Sequence, residues 1–385
     1  MLIFAACLAI FVYGTVASMV GTINPALAAK LQLDTVQTSY LALAQGIGLV
    51  VASVSVGPLM DRHGKKVGLV LGLTLVAVAM LALAFASGFA VVLVAMIVMG
   101  MGGDIIITGA NALASDVSES RRASVLNFLN VFVGLGGLAT PFVAGNVLAG
   151  DAVRVALAAA ALTIVTLLVH LMLRIPRPVA SGAPGRSSEV FRQPVLYLLG
   201  SATFLYTACE FGVWNWLVKY LLTRGVSATT ALNVLSLGFA LGLLVGRVAI
   251  APVLIKVPPA TVTVTASMLM AVTTFAMLQV SDVTLLSVVV FLAGAAMAPV
   301  FPTTVAIVGD LFKEGSATAI GFTITCGFSG LVVSSPLIGW LAGSDPNGLG
   351  RGLLLLPAFS IALVLVNLVI RKKREARLAI SAAPA

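Results

Sequence analysis

Charge is scarce in this chain. Asp, Glu, Lys and Arg make up only 9% of its 385 residues, whereas 60% are hydrophobic and the mean hydropathy is +1.14. A soluble globular domain carries about 25% charged residues, so the composition excludes one. Long apolar runs with few charges are typical of a chain whose solvent is the lipid bilayer.

Histidine and cysteine are also scarce, with two and three residues. Cys7, Cys209 and Cys326 lie far apart and inside apolar runs. We interpret them as small apolar side chains and predict neither a disulfide framework nor a metal site. A membrane-embedded enzyme usually carries a cluster of His, Cys or acidic residues for a metal or a nucleophile. We therefore predict that the protein is not an enzyme and has no cofactor.

Twelve apolar segments are long enough to cross a bilayer, which takes about 20 apolar residues in a helix. The sequence thus predicts an all-α membrane protein with twelve transmembrane helices. No basic residue precedes Lys30, so we predict a first span and not a cleaved signal peptide. The predicted spans are roughly residues 2–26, 38–58, 67–86, 89–112, 124–148, 153–174, 194–222, 228–252, 260–279, 284–308, 316–342 and 349–370.

The net charge of +9 does not indicate a nucleic-acid partner, because the basic residues follow a membrane topology. If the N-terminus is inside, alternate loops and the C-terminal tail hold most of the 22 Lys and Arg residues, and this count assigns Arg247 to a cytoplasmic loop. Such a bias is typical of cytoplasmic loops. It predicts a multi-pass protein of the plasma (inner) membrane, with the bilayer as its partner and both termini in the cytoplasm.

A segment rich in Pro, Gly, Ser and Arg, residues 175–193, divides the spans six and six. We interpret it as a cytoplasmic linker between an N-terminal six-helix bundle, residues 1–174, and a C-terminal bundle with a short basic tail, residues 194–385. The halves repeat weakly at an offset of about 194 residues, which places Gly136 over Gly330. Parallel repeats of this kind predict pseudo-symmetric bundles with a substrate site between them.

The segment GPLMDRHGKK, residues 57–66, lies between predicted spans two and three. Gly57 allows a close helix approach, Gly64 permits a tight turn, and Asp61 can pair with an arginine or a helix N-terminus. With Arg62 and Lys65, these residues form a predicted conformational gate; the alternative is a short loop with ordinary positive-inside charge. The segment resembles the signature loop of the major facilitator superfamily, which implies a fold of two six-helix bundles.

Three further stretches resemble the fucose permease branch of sugar–proton symporters. They are FLYTACEFGVWNWLVKYL in span seven, FPTTVAIVGDLF at the end of span ten and LNFLNVFVGLGG in span five. The resemblance implies symport of a monosaccharide with a proton. That branch uses a carboxylate in span one, where this chain has none, and another in span four, about one turn from Asp104.

Span seven carries a polar and aromatic stripe, because Thr203, Tyr206, Glu210 and Trp214 share one helix face. Aromatic rings can lie on the C–H face of a pyranose, and carboxylates and amides can bind its hydroxyls. For each amide the alternative is a hydrogen bond between helices. The predicted substrate-binding residues are these four together with Gln45, Asn111, Asn127, Asn130 and Asn215.

Asp104 and Glu210 are the candidates for proton coupling. A carboxylate without a cation partner in low dielectric favours its protonated form, and the sequence predicts no basic residue in the middle of any span. We favour Asp104 as the proton site and Glu210 as an acceptor for sugar hydroxyls, with exchanged roles as the alternative.

The sequence therefore predicts a monomeric secondary transporter that imports a hexose or related monosaccharide with a proton by alternating access. Its partners would be this small molecule, the proton and lipid, with no nucleic acid. A proton-coupled exporter of drugs or metabolites is the first alternative, because GLGGLATPFVAG in span five resembles a related glycine–proline pattern in span five of drug–proton antiporters. A uniporter of the same fold is the second.

Overall fold

The structure is a computed structural model that describes residues 1–117, 122–175, 190–312, 316–343, 345 and 348–382. Twelve of its helices are long and apolar enough to cross a membrane, and each corresponds to one predicted span. These residues form no strand, which confirms the all-α class. The spans are α1 Leu2–Leu31, α2 Thr35–His63, α3 Lys65–Ala84, α4 Phe89–Val117, α5 Arg122–Asn146, α6 Ala152–Met172, α7 Pro194–Thr223, α8 Ala228–Lys256, α9 Pro259–Gln279, α10 Val283–Leu311, α11 Ser316–Ala342 and α12 Leu349–Glu375.

Three spans are not continuous α-helices. In α8 a π-helical segment, Val234–Ala240, separates two α-helical parts. α10 breaks at Pro299, because proline lacks an N–H donor and its ring clashes with the preceding turn. In α12 a short helix, Leu349–Leu353, precedes the long helix Leu355–Ala382, which continues beyond the end of the apolar span at Glu375. Such breaks are tolerated in a membrane where neighbouring helices bury the freed backbone groups.

The first six helices pack mainly on one another, as do the last six. The pairs α1–α5, α2–α4 and α3–α6 recur as α7–α11, α8–α10 and α9–α12. The predicted glycine pair lies at equivalent contacts, since a Cβ at Gly136 would collide with the Phe11 carbonyl oxygen and one at Gly330 with that of Phe204. Between the two groups, α2 meets α11, α1 meets α7 and α5 meets α8. Most of the predicted linker, residues 176–189, lies outside the described residues.

Twelve crossings place both termini at one face of the bundle, here called the terminal face; the other is the opposite face. The predicted turn at Gly64 lies at the terminal face, where a φ of 90° ends α2 and begins α3. The Nζ of Lys66 donates to the carbonyl oxygens of Leu171 and Leu173, 2.8 Å from each, at the end of α6. A cation there complements the helix dipole.

The other predicted gate residues differ in the contacts that they make. The Nζ of Lys65 donates to the Ala112 carbonyl oxygen at 3.2 Å, and Arg62 is exposed. The side chain of Asp61 lies outside the described residues. The expected close helix approach at Gly57 is wrong for this conformation, because a Cβ added there would meet no atom within 4 Å.

At the opposite face, Asp151 caps the N-terminus of α6. Its carboxylate accepts hydrogen bonds from the N–H groups of Val153 and Arg154 at 2.8 and 3.0 Å. These bonds, chiefly the one from Arg154, hold the pKa of Asp151 below its usual value. They satisfy two of the donors that a helix N-terminus leaves free.

We expect Asp151→Ala to lower the free energy of unfolding by about 0.5–1 kcal/mol, because the exposed cap is lost. Asp151→Asn should be nearly neutral at pH 7, since asparagine also caps. A depressed carboxyl pKa stabilises the fold fully above the unfolded-state value of about 3.9 and ceases to do so as pH falls through the lower folded-state value. Thermal unfolding in detergent from about pH 7 to about pH 3 tests this; a deficit of the Ala variant that is independent of pH would contradict it.

Candidate functional site

A cavity of about 590 Å³ lies between the two groups of helices. Its volume is in the range of small-molecule sites. Aromatic walls surround a few polar and charged groups, which come from both groups of helices. Its lining includes Tyr13, Asp104, Thr108, Asn111, Asn130, Tyr206, Glu210, Trp214, Arg247, Phe301 and Phe328.

The cavity extends toward the terminal face, where Gly57 of α2 and Gly321 of α11 line it. A Cβ at either glycine would meet no atom within 4 Å, so the helices are separated there. The opposite end is closed by contacts between the two groups. This conformation is therefore open toward the terminal face.

Hydrogen bonds contribute to the closure. The Nζ of Lys219 in α7 donates to Thr38 Oγ1 in α2 at 3.1 Å. Lys219 forms no ion pair with Glu210 among the described residues. The amides of Asn146 and Asn233 donate to each other at 2.6 and 3.2 Å. These contacts join α2 to α7 and α5 to α8.

Close backbone approach completes the closure. A Cβ at Gly21 of α1 would collide with the carbonyl oxygen of Trp214 in α7. A Cβ at Gly339 of α11 would lie only 2.6 Å from that of Ser39 in α2. Because the Trp214 ring lines the cavity, the α1–α7 contact lies directly at its closed end.

Three of the four stripe residues of α7 line the cavity, namely Tyr206, Glu210 and Trp214. The Trp214 ring packs edge-on against Phe239, with centroids 5.2 Å apart. Thr203 does not line it: its hydroxyl donates to the Thr323 carbonyl oxygen of α11 at 2.7 Å. The stripe covers a wide part of the helix surface, and Thr203, its first residue, lies at the edge that faces α11.

The predicted amides divide into two classes. Asn111 and Asn130 line the cavity. Gln45 and Asn215 do not: the Gln45 amide donates to the Val16 carbonyl oxygen at 3.0 Å, and that of Asn215 donates to Ser335 Oγ at 3.0 Å. For these two, hydrogen bonding between helices replaces the predicted substrate contact. The side chain of Asn127 lies outside the described residues.

Asp104 lines the cavity from α4 and is only 2% exposed. Within the described part of the chain, its Oδ2 has no hydrogen-bond partner and no cation interacts with it. Tyr13 of α1 packs near the adjacent Gly103 and interacts electrostatically with Asp104, Glu210 and Arg247. Tyr13 was not among the predicted site residues; its position in the middle of span one was the available signal.

Arg247 corrects two expectations. The charge count placed it in a cytoplasmic loop, but α8 continues to Lys256, so Arg247 lies nine residues, or roughly 13 Å, inside the helix end. It lines the cavity and interacts electrostatically with Glu210 and Tyr206. The expectation that no cation lies in the middle of a span is therefore wrong, and Glu210 has a cation near it.

The sequence matches the family model of the major facilitator superfamily over residues 6–252. The chain belongs to this superfamily. It is accordingly a multi-pass membrane transporter that binds a small molecule, and the prediction that it is not an enzyme is confirmed by the family. Among curated proteins, none matches the sequence.

Solved transporters share the fold. A mutant of the nucleoside transporter NupG matches with a TM-score of 0.82 and 14% identity, over 96% of this chain and all of that one. The transporter FucP in the outward conformation matches with 0.66 and 16%, over 96% and 98% of the chains. A mutant of the E. coli fucose:proton symporter FucP matches with 0.63 and 17%, over 95% and 98%. The predicted resemblance to the major facilitator superfamily and to its fucose permease branch is confirmed.

We expect Gly21→Val to displace α1 from α7 and so to open the opposite face. The reporter is Ser39→Cys, buried beneath Gly339, in a chain whose three native cysteines are replaced by alanine. A clash worth 1.4 kcal/mol shifts the equilibrium tenfold, so labelling by a polar maleimide should accelerate by about tenfold or more. The matched control is Gly321→Val at the open end, which should not accelerate labelling. Equal rates for the two variants would contradict the assigned closure.

Proposed function

We propose that the protein is a proton-coupled symporter that imports a monosaccharide across the plasma membrane, with both termini in the cytoplasm. The observation that carries the proposal is that one cavity holds two features on facing halves. One is a buried carboxylate that has no cation partner among the described residues, and the other is an aromatic and polar stripe. The first can take up a proton, and the second suits a sugar. The terminal face is then the cytoplasmic face, and the conformation is the one that releases substrate.

The two carboxylates take different roles. Arg247 interacts with Glu210, and a nearby cation favours the ionised carboxylate. Asp104 has no such partner among the described residues and is almost fully buried. Asp104 is therefore the proton site, and Glu210 stays charged and accepts hydrogen bonds from the substrate.

Recognition of a sugar would use both halves. The rings of Tyr206 and Trp214 offer flat apolar surfaces, and Asn111 and Asn130 supply amides on the other wall. A proton on Asp104 and sugar between the walls would allow the halves to close at the opposite face and open at the terminal face. A pH difference of one unit supplies about 1.4 kcal/mol, which supports roughly tenfold accumulation.

A nucleoside is the second candidate substrate. The similarity to NupG, at a TM-score of 0.82, exceeds that to FucP, at 0.66. Conformation contributes to this difference, because that FucP structure is outward and the cavity here opens toward the terminal face. Aromatic walls can also stack on a nucleobase, so uridine belongs beside hexoses in the uptake assay.

We expect Asp104→Asn to abolish accumulation driven by a pH gradient and to spare sugar exchange, because the asparagine cannot release a proton. Glu210→Gln should instead weaken binding and exchange. Uptake of labelled hexoses into proteoliposomes, with acid outside and the membrane potential clamped, measures accumulation, and counterflow measures exchange. The expected change for Asp104→Asn is from roughly tenfold accumulation at one pH unit to none.

The matched control is Asp151→Asn, an acidic residue outside the cavity, which should retain full accumulation. Loss of exchange in Asp104→Asn, together with loss of accumulation but intact exchange in Glu210→Gln, would reverse the assigned roles. No uptake of any monosaccharide, combined with proton-driven efflux of an amphiphilic dye, would replace import by export. Equilibration without accumulation would indicate a uniporter.

A further inference from the structure

Arg247 differs from the paired arginines of this structure. Arg224, Arg371 and Arg374 each donate a hydrogen bond to an oxygen at 3.1 Å or less. Arg247 donates none within the part of the chain that the structure describes, and it forms no ion pair there. It is half-buried and lines the central cavity. A permanent cation with free donors therefore faces the space that the substrate must occupy.

A guanidinium group is a specific recognition element. It stays protonated in proteins and presents five N–H donors in a planar fork that matches a carboxylate in a bidentate manner. Glu210 interacts with its charge at longer range and does not occupy the fork. The hydroxyl groups of a neutral sugar would satisfy only part of these donors, and donors left unpaired in a desolvated site oppose binding.

The charge of the cavity points the same way. The charges of Arg247 and Glu210 cancel, so the net charge of the cavity depends on Asp104. Asp104 is negative in the empty cavity and neutral when it is protonated. A neutral substrate would change the net charge of the cavity by one unit between its empty and loaded forms. A monoanionic substrate bound with one proton leaves it unchanged, so both forms cross the low-dielectric membrane with the same charge.

We propose that Arg247 binds a carboxylate of the substrate, and that the substrate is a monoanionic sugar acid of the hexuronate type. This inference rests on the proposed function and specifies its substrate. The carboxylate would lie in the fork of Arg247, the hydroxyls on Glu210, Asn111 and Asn130, and the C–H face of the ring on Trp214. One proton enters on Asp104 with one anion, so the transport step is electroneutral.

Matched pairs of sugars test the assignment. D-glucuronate differs from D-glucose, and D-galacturonate from D-galactose, by a carboxylate in place of a hydroxymethyl group. Binding to the purified full chain is measured calorimetrically at a pH where the uronates are ionised. We expect each uronate to bind about 10–100-fold more tightly than its neutral partner, the range for hydrogen bonds to a charged group.

Variants isolate the contribution of Arg247. Arg247→Gln should reduce the preference for uronate to within about threefold, and Arg247→Lys should retain part of it, since it keeps the charge and loses the fork. Lys256→Gln is the matched control, because it removes a cation from the exposed end of the same helix. The preference of the unmodified chain is informative even if the Arg247→Gln variant does not fold.

Transport supplies a second readout. In proteoliposomes, a pH gradient should drive uronate accumulation, whereas a membrane potential alone should not. A preference for the neutral sugar, a uronate preference that survives Arg247→Gln, or uptake driven by potential alone would overturn the inference and leave monosaccharide symport intact. If neither uronate nor neutral hexose binds, the proposed function fails together with the inference.

Discussion

The cost of placing charge in hydrocarbon is the constraint on which this architecture depends. An uncompensated ion in the membrane interior costs several kcal/mol, and by some estimates far more. The centre of the bundle nevertheless holds Asp104, Glu210 and Arg247 around one cavity. Two of these compensate each other on the second half of the chain. The third, Asp104, lies on the first half and has no cation partner among the described residues, so the proposed uptake of a proton there would link protonation to closure of the halves.

Two of the irregular helices lie beside this cavity. Straight, closely packed helices would leave little space between them. The π-helical part of α8 carries Phe239, which packs against Trp214. The part of α10 that follows its break carries Phe301, which packs against Tyr206. The contacts that close the opposite end are hydrogen bonds and glycine–backbone contacts. Hydrogen bonds between membrane helices average about 0.6 kcal/mol each. A closure built from such contacts is weak enough to be broken and re-formed in each cycle.

Hydropathy was sufficient to predict the twelve spans, because burial in lipid imposes length and composition on every helix. Spacing on α7 was sufficient to predict that Tyr206, Glu210 and Trp214 lie on one wall of a cavity, because one helical face points to one environment. Spacing could not distinguish Gln45 and Asn215 from cavity amides, since the same polarity serves a bond between helices. Arg247 was misassigned because its distance from the helix end depends on where α8 stops, and Pro252 lies within that helix without ending it.

The weak repeat separates scaffold from chemistry. Residues that match across the 194-residue offset, such as Gly136 and Gly330, form equivalent helix contacts in the two halves. The charged residues do not match: the offset places buried Ala298 at the position of Asp104, buried Val16 at that of Glu210, and Ser53 at that of Arg247. A symmetric pair of bundles can rock without any of the three charges, and packing gains nothing from burying them. This asymmetry agrees with the proposed roles of the three charges in binding one solute and one proton.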